Sequence, residues 1–384
     1  MKIYWLAIVA LLAAGSLPAA AAAPSTGAIR VLRTAQPVKF IAADGSRVAV
    51  ATTTDKENSC DRIVVWSPRK RSSVSFKTGV CNDVPTIDDI WGLALAGKTA
   101  LWLEAGGGNW IELGVFSHTV GAKKSKLVSP YAAYSLSGYE SSNYGPYTFL
   151  GNLFGAGNLL VFNSWTACME VPAGGVGATC PQSAPGSDPV MLYSNQKLLK
   201  VVNGKGVEIA SAPDTQIGVT GSVSVEGPSV AVAVAPAIVA VDAKRIAAQN
   251  PDGSVTIYSA KGAVVRSIQI PSGTFSGFAL QGSQLVTIRN GRLELYSVSS
   301  GKRVKTISLP GGSQLGGLEK GLVAYVAYRV HVLRLSDRKD VTFSSPRSDF
   351  VGAQIAASGL FYAYSNPSGY VVFVPFAKVL KKLG

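Results

Sequence analysis

The hydrophobic positions of this chain fall in short runs broken by polar clusters, most clearly over residues 283–309, SQLVTIRNGRLELYSVSSGKRVKTISL. The pattern predicts three strands there, at 285–289, 293–297 and 304–309. Asn290 and Gly291 form the first turn, because a two-residue hairpin needs positive φ at both positions and these residues tolerate it. Ser299 to Lys302 form the second turn, and FSGFAL at 275–280 supplies one more strand upstream, rich in small residues.

This four-strand unit recurs. RIAAQNPDGSVTIYSAKGAVVRSIQI at 245–270 carries Asp252 and Gly253 in the same hairpin slot, and further copies begin at 321 and 359. Looser copies lie at 47–76 and 99–116, and another starts at 158–165 and resumes at 190–194 after an insertion. Third-strand centres are expected near residues 65, 113, 192, 257, 295, 332 and 372. Seven four-stranded units of about 40 residues define an all-β, seven-bladed β-propeller. Six or eight blades are the alternatives, since 195–244 has room for one more. A two-sheet sandwich with a second β domain fits the regular late spacing less well.

The segments DGSVTIY and GRLELYSVSSGKRVKTISL resemble blades of the WD40, YVTN and quinoprotein-like propellers, and the whole is similar to secreted bacterial propellers. The repeats predict a single propeller domain over 28–384. A propeller is protected when its chain ends share a blade, which removes exposed sheet edges. The short strand expected at 28–34, AIRVLRT, is therefore assigned to the C-terminal blade.

Composition agrees with many turns and a large core. The 384 residues include 41 Gly and 20 Pro, are 47% hydrophobic and only 15% charged, and carry a formal net charge of +14. Residues 1–22 read as a signal peptide, with Lys2 before an apolar stretch and an Ala-rich cleavage site ending near Ala22. The apolar stretch is shorter than the roughly 20 residues that a membrane span needs. The expected product is a secreted or periplasmic protein, not transmembrane after processing.

Export makes disulfides the natural use of four cysteines, and local spacing pairs Cys60 with Cys81 and Cys168 with Cys180. With no CxxC and only His118 and His331 in the chain, no metal or other cofactor is implied. Neither histidine has a serine or carboxylate at triad spacing, and both are expected to pack structurally.

Propeller geometry sorts residues by face. Interblade links and the hairpins between second and third strands lie on one face, the top; the other turns lie on the bottom. Top-face insertions are expected near 129–147 and 166–189. The first holds Tyr131, Tyr134, Tyr139, Tyr144 and Tyr147, broad amphipathic side chains suited to protein or glycan contact. Expected bottom turns carry Arg69, Lys70, Arg71, Lys123, Lys124, Lys126, Lys261, Lys302, Arg303, Arg338 and Lys339. That face would meet an anionic envelope surface. Nucleic acid is rejected as a partner, because the basic residues are spread one turn per blade and the chain is exported.

Acidic residues gather on the top, among them Asp88 and Asp89 before a strand, Glu104 and Asp349. Converging carboxylates would serve acid–base chemistry. Gly106 to Gly108 precede no helix and are not a phosphate loop. Trp91, Trp102, Trp110 and Trp165 are expected to pack. The sequence thus favours a non-enzymatic binding scaffold, with Tyr139, Tyr144, Tyr147, Asp88, Asp89 and Asp349 as candidate contact residues. A secreted hydrolase or lyase with acidic residues at the top of the central funnel is the alternative.

Overall fold

The alternating pattern builds seven antiparallel sheets in the computed structural model. The structure describes residues 27–54, 59–81, 89–106, 110–129, 132–135, 147–169, 190–212, 215–218, 237–250, 252–343, 349–365 and 368–384. The innermost strands are, in blade order, Val38–Asp44, Asp89–Ala96, Tyr147–Ala156, Ala237–Val241, Phe275–Gln281, Gln314–Glu319 and Phe350–Ala356. Each touches the innermost strand of the next blade, and the seventh touches the first, so the blades form a ring. The third strands are Cys60–Ser67, Trp110–Thr119, Val190–Val202, Val255–Ser259, Arg292–Ser297, Arg329–Arg334 and Tyr370–Pro375, one over each expected centre. Seven blades are present, and the described part of 195–244 belongs to blades 3 and 4.

The middle strands of each blade are buried on both sides, which explains their nearly continuous apolar runs. Successive side chains point to opposite faces of a strand. In blade 1, Val48, Val50 and Trp66 pack on Phe361 and Phe373 of blade 7. The intervening Ala49 and Ala51, with Ile63 and Val65, pack on Ile90 and Trp102 of blade 2. Each fully buried Val or Ile contributes roughly 1.5–3 kcal/mol. Outer strands are half-solvated: Val264 and Val304 are 65% and 64% exposed, with Arg266 and Lys305 nearby to discourage edge pairing.

Every innermost strand has a bulge against its second strand. A bulge increases local twist, as strands crowded around an axis require. Small residues are needed there: a Cβ on Gly155 would lie 2.5 Å from the Leu95 carbonyl oxygen, and one on Gly316 equally close to that of Ala353.

Arg30–Arg33 pairs antiparallel with Tyr370–Pro375, so the short strand expected at 28–34 lies in the sheet of the C-terminal residues. A helix that the strand pattern does not predict follows at Phe376–Leu383. Its Val379 and Leu383 are buried with Leu322 and Val332 of blade 6 and Leu360 and Val374 of blade 7. Arg334 Nη2 donates to the Leu383 carbonyl at 3.3 Å.

Three loops differ from expectation. Gly253 N–H donates to Asn250 O, and Gln249 pairs with Val255, so that hairpin is longer than a two-residue turn. Ala132–Ser135, including Tyr134, pairs with the third strand of blade 2 as part of its outer strand, so the first top insertion starts after Ser135. The second strand of blade 3 runs to Met169 and pairs with the strand beginning at Val190, so the second insertion also starts later than expected. In both cases, added cross-strand hydrogen bonds extend the sheet upward.

Candidate functional site

On the top face, Asp61, Asp89 and Glu104 lie at the seam between blades 1 and 2. Asp89 forms an ion pair with Lys39. Glu104 Oε1 accepts the Gly79 N–H at 2.9 Å and Trp102 Nε1–H at 2.6 Å. Glu104 therefore ties the outer strand of blade 1 to blade 2. Asp61, which the sequence pattern did not single out, is 3% exposed and accepts the Thr54 N–H through Oδ1 at 2.8 Å. Burial pushes its carboxyl up to about 6, and the charges of Asp89 and Glu104 add to that shift. These carboxylates share one neighbourhood. Asp349 stands on blade 7, where its carbonyl accepts the Ser365 N–H at 2.8 Å. Asp88, Tyr139 and Tyr144 lie outside the described residues. Tyr147 begins the innermost strand of blade 3, opposite Ala167, and its side chain is also outside them.

The Cys60–Cys81 disulfide joins the top ends of the third and fourth strands of blade 1. Cys168 lies in the second strand of blade 3, and its pairing with Cys180 falls outside the described residues. Among the described residues no group of three or more His, Cys, Asp or Glu is placed to hold a metal.

One top-face aromatic was missed. Tyr328 sits between Ala327 and Arg329, which pair directly across the hairpin of blade 6. Its φ is 57° and it is 85% exposed. A bulky side chain in the left-handed region is strained, and such strain concentrates at functional sites. The sequence signal was Ala-Tyr-Arg in place of the usual Gly- or Asn-containing turn.

The bottom turns join blades to one another through side chains that cap the next turn. Asp44 Oδ2 accepts Gly97 N–H at 2.6 Å and Gly157 N–H at 3.0 Å. Asp242 Oδ2 accepts Gly282 N–H at 3.2 Å, and Gln281 Oε1 accepts Lys320 N–H at 2.6 Å. Burial raises the Glu319 carboxyl above its ordinary value, with Asp44 as a lesser contributor, against lowering by Lys320 and Gln281. Outside this network the face is mostly basic: Arg69, Lys70, Arg71, Lys123, Lys124, Lys126, Lys261, Lys302, Arg338 and Lys339 are exposed in or beside bottom turns, with the exposed acid Asp337 paired to Arg334. The terminal helix adds Lys381 and Lys382. Arg303 is instead turned along blade 5, pairing with Glu294 at 3.0 Å.

The histidines pack. His118 stacks on Phe76 at 4.1 Å between ring centres and burial lowers its pKa, while His331 stacks on Tyr325 at 4.8 Å. Trp102 is stacked with Phe116 and Trp165 with Phe149, and Trp91 packs against the core shared by blades 2 and 3. The side chain of Trp110 is outside the described residues.

No known protein-family model and no curated protein matches the chain. Among solved structures, it is similar to a chain of a mitotic checkpoint complex, with 13% identity, 94% of this chain and 99% of that chain covered, and a TM-score of 0.49. Hsv2 of Kluyvelomyces marxianus gives 10%, 86% and 89%, and 0.48. The computationally designed Ika8 gives 12%, 89% and 98%, and 0.44. At that distance they carry no argument, and the class, a seven-bladed β-propeller, is defined by the chain's own seven sheets. No described helix is long and apolar enough to cross a membrane.

Proposed function

We propose that this propeller is an exported, non-enzymatic binding scaffold that holds a protein or glycan partner on its top face. The observation that carries this is Tyr328, an almost fully exposed aromatic in a strained hairpin on the face where the strands ending at Ser135, Met169 and Gly218 terminate. Loops on a rigid scaffold are where binding residues concentrate, and rigid tyrosines lose little entropy on contact. Tyr139, Tyr144 and Tyr147 follow the first of these strands in sequence. The basic bottom face would lie toward an anionic envelope surface, leaving the top free. The test is capture from envelope extracts by the chain without residues 1–22, compared with a variant also lacking 136–146. A partner held by the first and lost by the second supports the proposal; a partner held equally by both overturns it.

The acidic alternative has one observation in its favour, Asp61 held up to about 6 beside Asp89 and Glu104. Against it, Asp89 is paired with Lys39, Glu104 is committed to Gly79 and Trp102, and Asp61 is nearly inaccessible.

A further inference from the structure

A cleft of about 770 Å³ opens on the bottom face between blades 2 and 3. That volume falls within the roughly 300–1,000 Å³ range of small-ligand sites. Its charged lining is Arg47, Lys98, Lys124 and Lys126, with no carboxylate among the described lining residues. Thr99, Ser117, Thr119, Asn158 and Asn203 add hydroxyl and amide groups. The four cations come from blade 1, the inner turn of blade 2 and its outer turn, so three separate segments converge on one space. Arg47 is held toward the cleft by an Nη1–H donated to Gly97 O at 3.4 Å. The stem of Lys126 passes against Gly204, where even a Cβ would meet its Cδ at 2.7 Å. The nearby Asp44 has its carboxylate engaged by Gly97 and Gly157 N–H.

Four like charges around one cavity repel each other, and a bound anion relieves that cost while gaining charge-assisted hydrogen bonds. Lysine and arginine on convex turns would merely solubilise the face; in a concave space they focus potential on whatever enters. The volume exceeds what a single phosphate fills, and the hydroxyl and amide groups suit the scaffold between charged groups. We propose that this cleft binds a compact polyanion carrying two or more phosphate or sulfate groups. The site rests on the cleft's lining alone and does not depend on the top-face partner.

The test is calorimetric titration of the chain lacking residues 1–22 with inorganic tripolyphosphate at physiological ionic strength. Two double variants are compared: Lys124→Ala with Lys126→Ala in the cleft, and Lys302→Ala with Arg338→Ala on blades 5 and 6. Circular dichroism verifies that both fold, and Lys98→Ala serves as a second cleft variant. The expected result is saturable one-site binding, weakened at least tenfold by either cleft variant and changed less than twofold by the distant one. Absence of binding, or equal weakening by near and distant changes, overturns the proposal, because the second outcome is diffuse attraction to a basic face. Vesicles of phosphatidylglycerol, with phosphatidylcholine vesicles as the neutral control, separate the sources. Vesicle binding that tripolyphosphate displaces and the cleft variants lose assigns the site to a lipid headgroup. Vesicle binding indifferent to both assigns it to a free anion.

Discussion

Asp44 of blade 1 and Gly157 of blade 3 are joined by a hydrogen bond, the carboxylate Oδ2 accepting the glycine N–H at 3.0 Å across 113 positions of sequence. The same oxygen accepts Gly97 N–H of blade 2, so one side chain fastens three blades at the bottom of the ring. Both N–H groups belong to turns whose glycines have positive φ, Gly97 at 56° and Gly157 at 62°. Asp44→Ala would leave two donors without this acceptor, at about 1–3 kcal/mol. Its urea midpoint should fall, and Asp44→Asn, which keeps one acceptor oxygen, should recover part of the loss.

Glu294 is the most heavily engaged carboxylate in the described core. It is 1% exposed and accepts from Arg289 at 2.6 Å, Arg303 at 3.0 Å and Tyr296 OH at 2.7 Å. Burial alone would raise its pKa, but the hydrogen bonds of Arg289 and Tyr296 and the charge of Arg289 bring it below the ordinary value. Glu294→Ala strands Arg289, and the expected cost is about 3 kcal/mol. Exchanging both partners for apolar residues, Arg289→Met with Glu294→Leu, should restore much of it in the same denaturation assay. A double variant no better than Glu294→Ala alone would show that the ion pair is not what the single change removes.

Asp61 and Glu294 push stability in opposite directions with pH. The folded pKa of Asp61 is raised to about 6 from 3.8, so the folded state binds more protons between those values. Its contribution therefore falls as pH rises from about 4 to 6, by up to about 3 kcal/mol. Glu294 has a lowered pKa, so its contribution is present above the unfolded carboxylate range and is lost as pH falls. Asp61→Asn should flatten the decline between pH 4 and 6 and leave the acid limb unchanged. A decline of unchanged slope in the variant would place its origin elsewhere.

The Cys60–Cys81 disulfide closes a loop with a sequence separation of 21, for which chain entropy gives roughly 3 kcal/mol. Cys60→Ser with Cys81→Ser should lower the thermal midpoint in non-reducing buffer and abolish the sensitivity of blade 1 to reductant. Hydrogen exchange should then rise first in Ser72–Cys81, the outer strand that the bridge secures.

Strand positions were legible because blade packing imposes them. Val48 and Ala49 must face opposite neighbours, so the alternation that buries them is written into the residues themselves. Asn290 and Gly291, with φ of 49° and 71°, likewise state their turn outright. Interblade relations left weaker traces. That Asp44 caps turns of blades 2 and 3 depends on ring curvature, and no local pattern contains it. Glu104 resembled a funnel acid because its place near the top of a strand was visible, whereas its partners Gly79 and Trp102 lie across a seam and along its own strand. The terminal helix leaves only a brief signal, apolar residues at 376, 379, 380 and 383, because its eight residues span little more than two turns. Tyr328 was hidden for the opposite reason: it departs from turn chemistry, and a departure has no motif.

The central claim is that the top face is where a partner is held. The most direct measurement places a photo-crosslinking amino acid at position 328 in one variant and at 338, on the exposed bottom turn of blade 6, in another. Each is illuminated in envelope extract without added polyanion. The account predicts a discrete covalent adduct from position 328, absent when 136–146 is deleted, and none from position 338. A discrete adduct from 338 alone, or the same adduct from both, would contradict it.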